Sequence, residues 1–226
     1  MDLVAVIALG MGAAWASGIN LYAAVFVLGL MGATGHIELP PHLEVLSDPL
    51  VLAAAGFMYC VEFFADKVPG VDTGWDALHT FIRIPAGAVL AAGAFGEVSL
   101  AAQLAAGLVG GTLAAGAHAT KAGARVLINT SPEPVSNWCA SLAEDVAVVA
   151  GLWTALNYPV VFLAVLAAMV ALMVWLLPKL WRGVQRVLGA IAGFFRGGPP
   201  APLPGAASAG GGRAVPRIAP PGRPEP

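Results

Sequence analysis

Charge is scarce in this chain. Only 11% of its residues are Asp, Glu, Lys or Arg against 58% hydrophobic, and the mean hydropathy is +0.81. That composition excludes an ordinary soluble domain and makes lipid the main solvent. Cysteine is nearly missing as well: Cys60 and Cys139 both lie in apolar segments, so no disulfide framework is expected. A formal net charge of −2 offers nothing to a phosphate backbone, and no nucleic-acid partner follows. Met1-Asp2 lacks the positive start of a signal peptide, and apolar sequence resumes after Asn20. Ala14-Trp15-Ala16, which looks like a cleavage site, is therefore read within an uncleaved first span.

What is present is a series of apolar runs at 3–34, 49–65, 78–96, 99–129, 138–156 and 159–177. A helix needs roughly 20 residues to cross about 30 Å of hydrocarbon. Backbone groups in lipid must be satisfied internally, so the expected fold class is all-α, a polytopic transmembrane helix bundle of about six spans. Lys and Arg are absent from the connection 35–48, from the turn at Gly96-Glu97 and from Asn157-Tyr158-Pro159; all of them lie in or beside the other connections and the tail. The positive-inside rule then places both termini in the cytoplasm. A re-entrant first segment turning at Ser17-Gly18, with Met1 outside, is the rival topology.

The first and fourth runs are long enough to make about 46 Å of helix, so each must tilt, break or protrude. Ser17-Gly18-Ile19-Asn20 interrupts the first, and His118, Lys121 and Arg125 make the end of the fourth polar. Pro-rich connections follow both. This pattern suggests two three-helix halves inverted in the membrane, an arrangement of secondary transporters. The domains are read as a transmembrane domain at 1–177, a cytoplasmic amphipathic interfacial helix at 178–196 and a disordered Pro/Gly/Ala-rich tail at 197–226. The alternative for the middle segment is an extension of the sixth span.

Polar chemistry concentrates in 62–83, which holds Glu62, Asp66, Asp72, Asp76, His79 and Arg83. Glu62 follows a short apolar run and should sit inside the hydrocarbon or at its edge, with Asp66 one turn further along the same face. Arg83 is placed to reach back to Glu62 or Asp66. A neutral ion-paired lock and a proton or ion pathway are the two readings of such groups. Thr73-Gly74-Trp75-Asp76 matches a capping box, with Thr73 as N-cap and Asp76 folding back. Divalent-cation binding by Asp66, Asp72, Asp76 and His79 has no recognisable motif spacing behind it, and no metal or cofactor is expected. His118, Lys121 and Arg125 share a face of the fourth span; its overlong end could stand in the cytoplasm, or Lys121 and Arg125 could pair with Glu144 and Asp145 early in the fifth. A start near Asn137 suits that span better than the Ser141 capping-box match, which leaves too few residues to cross. Ser131-Pro132 suits an N-cap and first helical position. Around Asn20, a small-residue packing seam and an unwound solute site are both open.

The segments WASGINLYAAVFVLGLMG, EFFADKVPGVDTGWDALHTFIRIPAGA and His118 through NTSPEPVSN to Asp145 resemble an uncharacterised bacterial integral-membrane family, domain of unknown function four-one-two-six. The resemblance covers about 1–175. It implies a membrane domain in a bacterial inner (plasma) membrane and brings no catalytic or binding residues with it.

The functional expectation is a transporter, channel or lipid translocator for a small solute, ion or lipid, with Asn20 at a broken helix. Glu62, His79, Arg83, His118, Glu144 and Asp145 would form an internal polar route, joined by Asp66, Asp72, Asp76, Lys121 and Arg125. Membrane lipids are the expected partners. A scaffold or assembly factor whose charges merely lock helices together is the alternative, and a membrane-embedded hydrolase or transferase comes third.

Overall fold

A computed structural model describes residues 1–130 and 135–195. The N-cap expected at Ser131-Pro132 and the tail 197–226 lie outside them. Among the described residues there are six α-helices, a short 3₁₀ helix and no strand, which is the all-α class expected from the sequence. The helices are α1 Leu3–Ala33, α2 Pro49–Ala65, α3 Val71–Ala94, α4 Leu100–Ile128, α5 Val135–Asn157 and α6 Pro159–Phe195, and the 3₁₀ helix is Pro41–Ser47. The chain divides into a unit Met1–Val187, which holds the bundle, and a unit Leu188–Pro226, whose described part is the end of α6.

Helix starts follow local chemistry. Asp2 accepts from the amide of Ala5 (2.7 Å), Asp48 from Leu50 (2.8 Å) just before Pro49, and Ser99 from Ala102 (3.1 Å). Each side chain satisfies an amide that the first turn leaves free. Five helices, all except α2, are long and apolar enough to cross a bilayer. The sixth crossing exists only if the 3₁₀ helix and α2 are taken together, and these are bent by 65°. The chain is thus a multi-pass membrane protein.

α1 is the central helix, packing against α2, α3, α4 and α5, and α3 and α4 form the most extensive pair. Small residues permit this. A Cβ on Gly18 would lie 2.4 Å from the Ala114 carbonyl oxygen, one on Gly87 2.5 Å from the Ala114 methyl and one on Gly110 2.3 Å from the Ala91 methyl. Three helix backbones meet there at a distance that only glycine allows, the means by which membrane helices pack without a hydrophobic drive between them. α6 is mostly exposed and touches the bundle through side chains: Phe162 meets Trp15 edge-on at 6.4 Å, and Leu180 lies over Gly123. Pro178 sits inside α6, so the helical segment expected after it continues the sixth helix without a break.

Within α1, Asn20 leaves the helix (φ −146°, ψ 96°). The Ala23 amide, which would otherwise bond to the Ile19 carbonyl, is taken by Asn20 Oδ1 at 2.9 Å. Asn20 thereby caps the second half of α1 and releases the Ile19 carbonyl. Seam and break are both present and divide the motif: Gly18 provides the close approach and Asn20 the interruption.

Candidate functional site

Five helices send polar groups to one end of the bundle. They come from the middle of α1, the end of α2, the start of α3, the last third of α4 and the start of α5. Because consecutive helices alternate direction, these stretches meet at the same depth. Glu62, Asp66, Asp72, Asp76, His79, Arg83, His118, Lys121 and Arg125 are all buried, while Glu144 and Asp145 are partly so.

Lys121 is the hub. Its ammonium lies 2.8 Å from Asp66 Oδ2, 3.4 Å from Glu144 Oε2, 3.5 Å from Glu62 Oε1 and 3.8 Å from Asp76 Oδ1, and it donates to the released Ile19 carbonyl at 3.0 Å. The carbonyl freed by the break in α1 is therefore held by a lysine of α4. Arg83 bonds Glu62 through one nitrogen and Asp76 through another at 2.9 Å. Arg125 grips Glu144 in a two-point fork (2.6 and 3.3 Å), donates to the Asp66 carbonyl at 3.0 Å and bonds the Asn137 side chain. Planar two-point pairing suits a guanidinium and ties α4 to α5. Asp145 accepts from Asn20 at 3.0 Å, joining α5 to the break in α1.

The hydrogen-bond partners fix both histidines. A guanidinium only donates, so His118 Nδ1, 3.2 Å from Arg83, is the acceptor; Nε2 then carries the proton and donates to Thr80 Oγ1 (2.8 Å), which donates to the Asp76 carbonyl (3.0 Å). His79 Nδ1 faces the Trp75 carbonyl at 2.8 Å and must donate, and Nε2 meets the Tyr22 hydroxyl, a group that can donate or accept, at 3.0 Å. His118 is thereby neutral, held as one tautomer by a donor on one side and an acceptor on the other.

Two expectations need correction. Thr73 does not cap α3, which starts at Val71 after Gly70, a residue with positive φ (86°). The capping carboxylate is Asp72, which accepts from the amides of Gly70 (2.8 Å) and Thr73 (2.6 Å) and from the Asn129 side chain (2.8 and 2.9 Å). Asp76 is an interior ion-pair partner. Lys121 and Arg125 do not stand clear of the bundle, because carboxylates from α2, α3 and α5 surround them. Arg83 pairs with Glu62 and Asp76, while Asp66 belongs to Lys121.

Asn137, Tyr22 and Thr80 complete the network and were not singled out from the sequence. Asn137, Ser141 and Glu144 fall at i, i+4 and i+7, so a scan for polar residues sharing one face of the fifth span would have found Asn137. Tyr22 and Thr80 carry no such periodic signal. No group of three or more His, Cys, Asp or Glu among the described residues is arranged to hold a metal ion.

Several carboxylate oxygens remain unpartnered among the described residues although buried: Glu62 Oε2, Asp66 Oδ1, Asp76 Oδ2 and Asp145 Oδ2. A cavity of about 260 Å³ between α1, α4 and α6 reaches the cluster, with Lys121 and Glu144 in its otherwise largely apolar wall. Neither a curated protein nor a solved structure matches this chain. The model of one family does match, over residues 7–179, and the chain belongs to that family, described as Domain of unknown function (DUF4126).

Proposed function

We propose that the protein is a transporter for a small solute, ion or lipid, and that the cluster around Lys121 is where the cargo or its coupling ion is handled. The observation that carries this reading is the unmet hydrogen-bonding capacity of buried carboxylates beside a broken helix. A network built only to hold helices together has no use for unpartnered buried oxygens, which cost stability. The cavity along α6 supplies an approach to Lys121 and Glu144, and the break at Asn20 is the type of helix interruption around which transport sites are built. Two inverted halves, α1–α3 and α4–α6, belong to the same proposal. A screen of solute uptake and efflux with purified protein in liposomes, with a search for copurifying lipid, tests it; absence of flux for every solute and lipid class would overturn it.

The second reading, a scaffold, is favoured by one specific observation: among the described residues, Arg83, Lys121 and Arg125 are each buried and each paired with a carboxylate from another helix or its cap. Under either reading the lysine and arginine distribution orients the protein with both termini in the cytoplasm of a bacterial plasma membrane. Residues 179–195 would then extend α6 at the cytoplasmic surface, their basic side toward lipid headgroups.

That orientation has a direct check. With Cys60 and Cys139 replaced by serine, Glu44→Cys should react with an impermeant thiol reagent from the outside and Ser136→Cys only from the inside. Labelling of both from the same side would contradict it and favour a re-entrant segment, for which the 65° bend before α2 is the natural place.

A further inference from the structure

We propose that the cluster is a proton-binding site, in which one proton beyond the charges of its cations is shared among the carboxylates of Glu62, Asp66 and Asp76. As the coupling ion this proton rests on the transport reading; as a bound proton it stands on the geometry alone.

The charges inside the closed network do not balance. Glu62, Asp66, Asp76 and Glu144 lie within ion-pair distance of Arg83, Lys121 and Arg125, which leaves one carboxylate more than there are cations. The imbalance survives at the edge, where Asp145 and Lys67 add one charge of each sign. Histidine does not cancel it. His118 accepts from Arg83 at the nitrogen that a second proton would occupy, and neither it nor His79 lies within ion-pair distance of a carboxylate among the described residues. Asp72 stands apart, stabilised by Asn129 and by the first amides of α3.

An uncompensated negative charge among membrane helices is costly, and carboxylates crowded around one ammonium cannot all ionise without mutual repulsion. Proton binding removes the excess in place: a carboxylate takes H⁺ from hydronium, one O–H bond forms on the carboxylate as one breaks in the hydronium, water leaves, and the net charge of the network goes from −1 to zero. The unpartnered oxygens of Glu62, Asp66 and Asp76 are where that O–H can be carried. A metal cation is the poorer occupant, since no arrangement of ligands for one is present among the described residues.

Glu62 is the natural centre. It is wholly buried, and α1 presents Tyr22 and Asn20 on its side of the cluster. Asp66 lies one turn on in α2, and α3 brings Asp76, His79 and Arg83. From α4 come His118, Lys121 and Arg125, and from α5 Glu144 and Asp145. Loss of the proton would leave Glu62, Asp66 and Asp76 competing for Lys121, whose amine also holds α1 at the Ile19 carbonyl. Protonation is thereby linked to the break in that helix.

Infrared difference spectroscopy on the full chain in lipid nanodiscs tests this. Exposed carboxyls are ionised at neutral pH, so a protonated-carboxyl C=O band there reports the site. The expected result is a deuterium-sensitive band at neutral pH that disappears in mild alkali and is lost in Glu62→Gln, Asp66→Asn or Asp76→Asn. A pH-indicator dye should count a single proton released per chain on the same alkaline step, and none in the variant that lacks the band. No band in the wild type, or a band unchanged in all three variants, overturns the proposal. A band without flux removes the transport reading and keeps the proton site; flux without the band does the reverse.

Discussion

Arg83→Met should be among the most damaging single substitutions in the protein. It leaves Glu62 and Asp76 without their guanidinium and widens the carboxylate excess around Lys121, while His118 Nδ1 loses its donor. Removing one partner of a buried pair costs about 3–5 kcal/mol, because the remaining charge has neither water nor counter-ion. The pair itself need not be worth that much. In the double variant Glu62→Met/Arg83→Met the desolvation of both charges disappears together, and two apolar side chains of similar length fill the space. Chemical unfolding in mixed micelles should therefore find the double variant more stable than Arg83→Met alone, although it carries one more change. A double variant as unstable as the single, or worse, would show that Glu62 and Arg83 are not coupled as described. Charge reversal is a weaker remedy than removal, since Arg83 also holds Asp76 and an arginine at 62 would face Lys121.

Arg125→Leu is the second large effect expected. Direct packing between α4 and α5 is slight, and the Arg125 side chain supplies the connection by binding Glu144 and Asn137 on α5 and the Asp66 carbonyl at the end of α2. Leucine keeps the volume but abandons Glu144 and the Asp66 carbonyl, again a cost of about 3–5 kcal/mol when the site is fully buried. The start of α5 should loosen first, and faster hydrogen exchange at residues 135–145 would report it. Glu144→Gln should be far milder, about 1 kcal/mol, because an amide keeps an acceptor for the guanidinium and introduces no unpaired charge. Equal losses in the two variants would contradict the assignment of Arg125 as the clasp.

Five of the six expected spans were legible in the sequence because hydropathy acts over whole helices. The interruption at Asn20 was legible because polar residues in mid-span are costly, and the pairing of Glu62 with Arg83 because each sits too deep to be solvated. Other features depended on neighbours that no local pattern encodes. The match of Thr73 through Asp76 to a capping box set the start of α3 three residues late, because the positive φ at Gly70 and the Asn129 amide that fix the true start lie outside the motif. For Lys121 and Arg125 the sequence allowed either a helix end in water or pairing with the fifth span; the pairing with Glu144 is found, but the carboxylates of α2 and α3 that also surround them are far away in sequence. Release of the Ile19 carbonyl follows from Asn20, but its capture by Lys121 does not.

Transport through the cluster is tested most directly by measuring flux and stability side by side in His118→Gln and Glu144→Gln, using the solute the wild-type screen identifies. His118→Gln keeps a donor and an acceptor, Glu144→Gln keeps an acceptor for Arg125, and neither introduces a charge, so expression and detergent stability should stay close to wild type. Flux should be abolished in both. Unchanged flux in both variants, or a loss of stability large enough to explain the missing flux, would contradict transport through the cluster.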